Sequence, residues 1–356
     1  MKGPLVSTRR DNTLRAVRFQ GPDYVPVHFS INAACWHHYP PAALWDLMES
    51  HTLLFPGFKR PADGAVRKPA VWATAGKPAT DAWGCVWETS DDGITGVVTK
   101  HPLQRWEDFP RLPNPDPKTT GHWGPRDWAK TAQGLAAAKA RGDVATGGLT
   151  HGHTFLTLCN IRGYEALLCD MAEDEPRLWP LIERVEAFNM GEVQGWLGAG
   201  AEWMSYPEDL GMQVGPMLSP ACLRKYVKPS YQRLMAPARK AGCIIHMHSD
   251  GDIKLLVDDL VDAGVNVVNL QDLVNGLDWI RERLAGRVCI DLDVDRQKVT
   301  AFGTPKEIDA LIRQEVSILG SRKGGLMMTF GLYPGTPLRN VQALMDAFER
   351  YMTYHA

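Results

Sequence analysis

No CxxC pair, no GxGxxG or GxxxxGK[ST] turn, and no uninterrupted apolar run near the length of a membrane span occurs in this 356-residue sequence. The seven cysteines, at 35, 85, 159, 169, 222, 243 and 289, are odd in number and far apart, which argues for reduced, mostly buried thiols rather than a disulfide framework. Without a glycine-rich phosphate turn after any strand, neither a dinucleotide fold nor a P-loop is indicated. The first 19 residues lack an apolar signal core, and no stretch is apolar for long enough to cross a bilayer, so the expected place of the protein is the cytoplasm, away from membranes. A large excess of either charge is also missing. Lys and Arg number 39 against 41 Asp and Glu, a formal net charge of −2, and nothing forms a footprint for nucleic acid or anionic lipid.

Tryptophan and histidine are plentiful, at 12 and 11 residues. Several sit in polar or loop-like stretches such as Cys35-Trp36-His37-His38-Tyr39 and His122-Trp123. Such rings suit the wall of a pocket and also ordinary surface packing. The most informative stretch is Cys243 to Ile253, where a β-branched apolar run ends in His246, His248, Ser249, Asp250 and Asp252, and an amphipathic segment from Leu255 to Ala263 follows. The pattern reads as strand, polar turn, helix. Alternation along a strand continuing to His248 puts His246, His248 and Asp250 on one side, where they can converge on a metal or a substrate. The competing reading makes one imidazole a hydrogen-bonded core residue and Asp250 a helix cap, with Asp252 also a cap.

Strand and helix alternate along most of the chain, which predicts parallel βα units. Strands are expected at about residues 25–30, 143–149, 201–206, 243–248, 265–270, 287–292 and 325–330, with an eighth placed at Val71. Helices are expected at 126–141, 160–172, 175–198, 305–319 and 337–353. Residues 56–125 are rich in Pro, Gly, Trp and Asp and read as an irregular insertion. Within it, Asp81–Glu88 and Ile94–Lys100 form a β-hairpin about an Asp-Asp-Gly turn. The fold class that follows is α/β, a single (β/α)8 TIM-type barrel over residues 1–356 with a hairpin and loop insertion in its first half.

Polar side chains gather at the predicted strand C-termini: His151 and His153, Glu208 and Asp209, His246 to Asp250, Gln271 and Asp272, Asp291 and Asp293. A barrel brings that rim together on one face. Two mechanisms suit these residues. A divalent metal, with zinc the natural candidate, is held by His248 with His246 or Asp250 and with His153 or Glu208 in support. Alternatively, carboxylates and histidines carry out proton transfer on an organic acid with no metal.

Several segments, in order, are similar to a known superfamily. They are Gly21-Pro22-Asp23-Tyr24-Val25-Pro26, Asp81-Ala82-Trp83-Gly84, His101-Pro102-Leu103 with Pro115-Asp116-Pro117, Asp209-Leu210-Gly211 to Gln213 with Leu218-Ser219-Pro220, His248-Ser249-Asp250-Gly251, and Gly324-Gly325 with Pro334 to Val341. In these the chain resembles the uroporphyrinogen decarboxylase-like superfamily, which includes methyltransferases that pass methyl groups between corrinoid proteins and thiols or folates. The resemblance implies one barrel with its pocket at the C-terminal mouth. No arginine-rich motif of the decarboxylases occurs around Ile31–Tyr39, so the methyltransferase branch is the nearer one. Those zinc enzymes use a His-x-Cys pair and a late Cys; here the pair falls on His248 and Asp250, and Thr329–Gly331 offers no thiol.

The expected activity is therefore transfer of a methyl group from a small methylated compound, of the methoxylated aromatic or methylamine type, to a corrinoid protein or tetrahydrofolate. His248, Asp250 and His246 are the expected zinc ligands; His153, Glu208 and Asp209 orient substrate or exchange a proton; Trp83, Gln213, Gln271 and Tyr333 contact the substrate. A metal-assisted lyase, decarboxylase or hydrolase without corrinoid is the alternative, and a barrel retained for binding alone is a third. A homodimer is expected on general grounds.

Overall fold

A computed structural model describes residues 7–66 and 68–355. Seven parallel strands carry the α/β, TIM-type architecture: β1 (Val27–Ile31), β2 (Thr146–Gly148), β3 (Trp203–Ser205), β4 (Ile244–Asp250), β5 (Val267–Gln271), β6 (Cys289–Asp293) and β7 (Leu326–Leu332). Helices intervene along the chain as the alternation requires, among them Leu178–Gly198, Lys228–Lys240, Pro305–Leu319 and Leu338–Tyr351. Two compact units divide it, one from Met1–Lys77, Glu88–Gly96 and Gln271–Ala356, the other from Pro78–Trp87 and Val97–Leu270.

In the first unit β7 pairs in parallel with β1 and with β6, matching Val27 to Met328 and Ile290 to Leu326. Phe29, Phe330 and Phe348 pack there, with the Phe29 and Phe330 rings 5.4 Å apart. The helix Pro305–Leu319 shows how sequence sets a boundary. Thr304 and Glu307 form a reciprocal capping box, and Pro305 occupies the first turn, where its missing N–H is not needed. Its residues 308, 311, 312, 315, 316 and 319 make one buried face at helical spacing, and position 315 of that face is a glutamate.

In the second unit β3 lies between β2 and β4, and β4 pairs on its other edge with β5, aligning His248 with Asn269. A two-residue strand, Glu208–Asp209, extends the β3 side and aligns Asp209 with Asp250. Burial alternates along β4: Ile245, Met247 and Ser249 are enclosed, whereas His246, His248 and Asp250 are half-buried on the opposite side.

The region around 56–125 holds short elements. Asp81 organises the part in the second unit, accepting hydrogen bonds from the backbone of Trp83 and Cys85 and from Trp87 Nε1, at 2.9, 2.9 and 2.8 Å. Val86–Glu88 and Val97–Lys100 neighbour one another in a three-stranded sheet, the expected hairpin with Ala79–Thr80 added at its edge. The strand expected at Val71 is not formed. Val71–Ala73 is a single 3-10 turn with Val71 78% exposed, because three apolar residues flanked by prolines and glycines have no neighbouring strand to complete. Among the described residues no helix is long and apolar enough to cross a membrane.

Candidate functional site

The polar end of β4 is shaped by a close approach of two backbones. Gly251 has φ +81°, and a Cβ on it would stand 2.2 Å from Gly211 C. A Cβ on Gly211 would in turn stand 2.5 Å from Gly251 C. Only paired glycines let the turn after Asp209 lie against the turn after Asp250. Gly211 N then donates to Asp250 O at 3.1 Å, Leu210 N donates to the buried Ser249 Oγ at 2.8 Å, and Asp250 N donates to Asp209 Oδ1 at 3.2 Å. The Asp-Leu-Gly and His-Ser-Asp-Gly segments are thus two halves of one clasp.

A third segment joins them. After β2, Gly152 N donates to Pro207 O at 2.8 Å, fixing the turn that carries His151. His151 Nε2 lies 3.2 Å from Asp209 Oδ1, and His248 Nε2 lies 3.5 Å from the same oxygen. The two rings are 5.7 Å apart, and Asp250 Oδ1 is 3.7 Å from His248 Nε2. Behind His248, Nδ1 meets Asn269 Oδ1. An amide oxygen only accepts, so Nδ1 carries the hydrogen and Nε2 is the nitrogen presented to Asp209.

Electrostatics follow from this arrangement. Burial opposes a charge on His248, but Asp209 and Asp250 outweigh it and raise the ring to about 9. His151 is raised in the same way, with burial overcome by Asp209. Asp209, although burial works against its charge, is held well below the ordinary carboxylate range by the two rings. At neutral pH the trio is an ionised carboxylate between two imidazoles that favour the charged form, or that can exchange their protons for a metal ion.

Other expected site residues lie elsewhere. His153 and Glu208, expected to orient substrate or exchange a proton, are fully enclosed. Glu208 accepts from the backbone N–H of Thr154, Phe155 and Leu156 at 2.6, 2.8 and 3.3 Å, so it caps the helix Phe155–Arg162. Burial raises it to about 7. His153 is pushed by burial to about 3 and is neutral, with Nδ1 2.7 Å from Thr154 Oγ1. β2 ends at Gly148, so the directions of His151 and His153 are set by the following turn rather than by strand alternation.

His246 shares the face of His248 but sits two residues earlier, about 6.6 Å along the strand. Its Nδ1 is 3.0 Å from Ser205 Oγ, and its ring tilts over Trp203 at 5.5 Å, apart from the three-donor cluster. Trp83 is 1% exposed and packs against Phe188 at 5.4 Å, a core residue rather than a pocket wall. Gln213 stands exposed on the loop after Asp209. In the first unit, Gln271 ends β5 and its carbonyl accepts from Asn275 Nδ2 at 2.9 Å; Tyr333 is 45% exposed with the Arg296 guanidinium 5.6 Å over its ring. Asn269 escaped notice, although a lone amide within the apolar run Val267-Val268-Asn269-Leu270 was the signal for it.

Known proteins match this chain at several levels. The uroporphyrinogen decarboxylase of Pongo abelii is 26% identical over 165 residues, 44% of this chain and 42% of that protein. A uroporphyrinogen decarboxylase of Thermus thermophilus is 32% identical over 137 residues, 37% of this chain and 38% of that protein. The chain thus spans less than half the length of these curated relatives. A solved methyltransferase from Methanosarcina mazei superposes with a TM-score of 0.65, covering 97% of this chain and 99% of that one at 16% identity, a likeness of fold. The description of one family matches residues 79–351, well over half of the sequence, and the chain belongs to that family, uroporphyrinogen decarboxylase (URO-D).

Proposed function

We propose that the protein is a methyltransferase or demethylase. It moves a methyl group from a small methylated compound, a methoxylated aromatic or a methylamine, to a corrinoid protein or a folate, assisted by a divalent metal for which zinc is the first candidate. The observation that carries this reading is the convergence of His151 and His248 on one oxygen of Asp209 at the strand ends. In barrels of this class the strand C-termini are where reacting groups gather. When its methyl departs as a formal cation, the leaving oxygen or nitrogen keeps the bonding electron pair, and the nucleophilic acceptor supplies the pair for the new bond. The charged imidazoles of His151 and His248 would offset the electron density that builds up on the leaving atom. A metal, when bound, would supply Lewis-acid polarisation there. The raised pKa of His248, about 9, keeps a proton available at that place when no metal is bound.

The test is a methyl-transfer assay of purified protein with methoxybenzoates and methylamines, offering reduced cobalamin and tetrahydrofolate as acceptors, with and without added zinc. Methyl on either acceptor, abolished by His248→Ala, is the expected result. Absence of transfer to both acceptors defeats the reading. The second reading, a metal-assisted lyase, decarboxylase or hydrolase on a small organic acid, draws on the decarboxylase relatives. Carbon dioxide release without cobalamin or folate would favour it.

A further inference from the structure

We infer that His151 Nε2, Asp209 Oδ1 and His248 Nε2 are the three protein ligands of a first-row divalent metal ion, leaving a position open to an oxygen of substrate or water. The three donor atoms all lie within 4.8 Å of one another. Ligands about 2.0–2.1 Å from a tetrahedral ion are about 3.3–3.4 Å from each other. The two contacts to Asp209 Oδ1, 3.2 and 3.5 Å, bracket that edge. An ion-paired trio with no other role could divide two rings between two carboxylate oxygens; here both rings aim the same type of nitrogen at one oxygen.

The surroundings match what a metal-ligating imidazole needs. Asn269 Oδ1 holds the Nδ1 hydrogen of His248 and so fixes the tautomer and ring direction. The donors come from three different segments, and the Gly211–Gly251 contact sets two of them in register. Two imidazoles and one carboxylate form a harder set than thiolates, suited to zinc, cobalt(II) or iron(II), and they direct the open position toward oxygen rather than sulfur. What the ion does in turnover rests on the methyl-transfer reading; its binding does not.

The experiment titrates metal-free protein with Co(II), following visible d–d absorption, and with Zn(II) by calorimetry, in the absence of any methyl donor or acceptor. One ion per chain with a four- or five-coordinate Co(II) spectrum is expected. His151→Ala and Asp209→Ala, checked for folding by circular dichroism, should each weaken binding by more than about 100-fold, beyond the range of outer-sphere changes, and Asn269→Leu by about 10–100-fold. His246→Ala should leave affinity within about threefold. No stoichiometric binding by the unmodified protein overturns the proposal, as does binding insensitive to His151→Ala and Asp209→Ala or lost with His246→Ala. A silent methyl-transfer assay beside intact metal binding would remove the reaction and leave the site standing.

Discussion

Carboxylates cluster in both units, and their surroundings give them opposite characters. In the second unit, Asp209 is half-buried between two imidazoles and held well below the usual carboxylate pKa. In the first unit, Asp272, Asp295 and Glu315 are buried with one another. Asp295 is occupied by backbone N–H groups, including Val299 N at 2.6 Å and Lys298 N at 3.0 Å, and Asp272 accepts from Asp295 N at 2.9 Å. Glu315 has no such donors. Burial, then the neighbouring Asp272 carboxyl, push it well above the ordinary value. An acid beside imidazoles keeps its charge and attracts cations; an acid buried beside acids keeps its proton and becomes packing. Composition alone makes the two clusters look alike.

The comparison breaks most sharply at Asp209. Asp209→Ala should lower kcat/KM in the methyl-transfer assay by about 10²–10⁴-fold, the span lost when a polar catalytic group is removed. The same change removes the acceptor of Asp250 N and the partner of the mostly buried His248, so activity is compared per folded molecule, with urea unfolding measured alongside. A drop in kcat/KM below about threefold would make the trio an ordinary surface ion pair.

One residue away, Glu208 should give the reverse result. Glu208→Ala leaves two buried backbone N–H groups and one half-buried one without their acceptor, at a cost of about 2–4 kcal/mol in urea unfolding. Activity per folded molecule should change little. Glu208→Gln keeps an acceptor oxygen and should lose less. A large fall in kcat with unchanged unfolding would return Glu208 to the chemistry expected of it from the sequence.

These neighbours also show what the sequence makes legible. Periodicity announced the strands, because a buried strand needs β-branched and apolar residues whatever its function, and β4 alternates as read. The capping box and Pro305 mark the start of the helix Pro305–Leu319. The helix start after β4 was less legible: Asp252 accepts from Lys254 N at 3.1 Å, whereas the helix begins at Val257 after Leu256. The rim was legible as a set of polar residues, but side-chain direction beyond a strand's last residue depends on turn geometry and tertiary partners. Hence Glu208 turned inward to a helix end while Asp209 turned to His248, and His151 rather than His153 met them. Trp83, read from the sequence as part of a hairpin strand and as a substrate contact, packs against Phe188.

The smallest expected effect lies in the first unit and concerns pH. An unfolded glutamate titrates near 4.3. Folded Glu315 holds its proton to higher pH, so its contribution to stability is complete below that value and is lost as pH rises toward the folded pKa. Above the unfolded value the unfolded chain binds fewer protons than the native one, and the sign is that of stability falling with pH. Asp272, also raised by burial, contributes the same sign. Glu315→Gln is uncharged throughout and keeps nearly the same volume, so it should remove its own share of that slope. Thermal melts at pH 4.5 and pH 8 check this: relative to the original protein, the variant should gain melting temperature on going from the lower pH to the higher. A difference that is constant across pH, or that favours the glutamate at pH 8, would mean that Glu315 is ionised in the native state, and the contrast between the two acid clusters would then be one of burial alone.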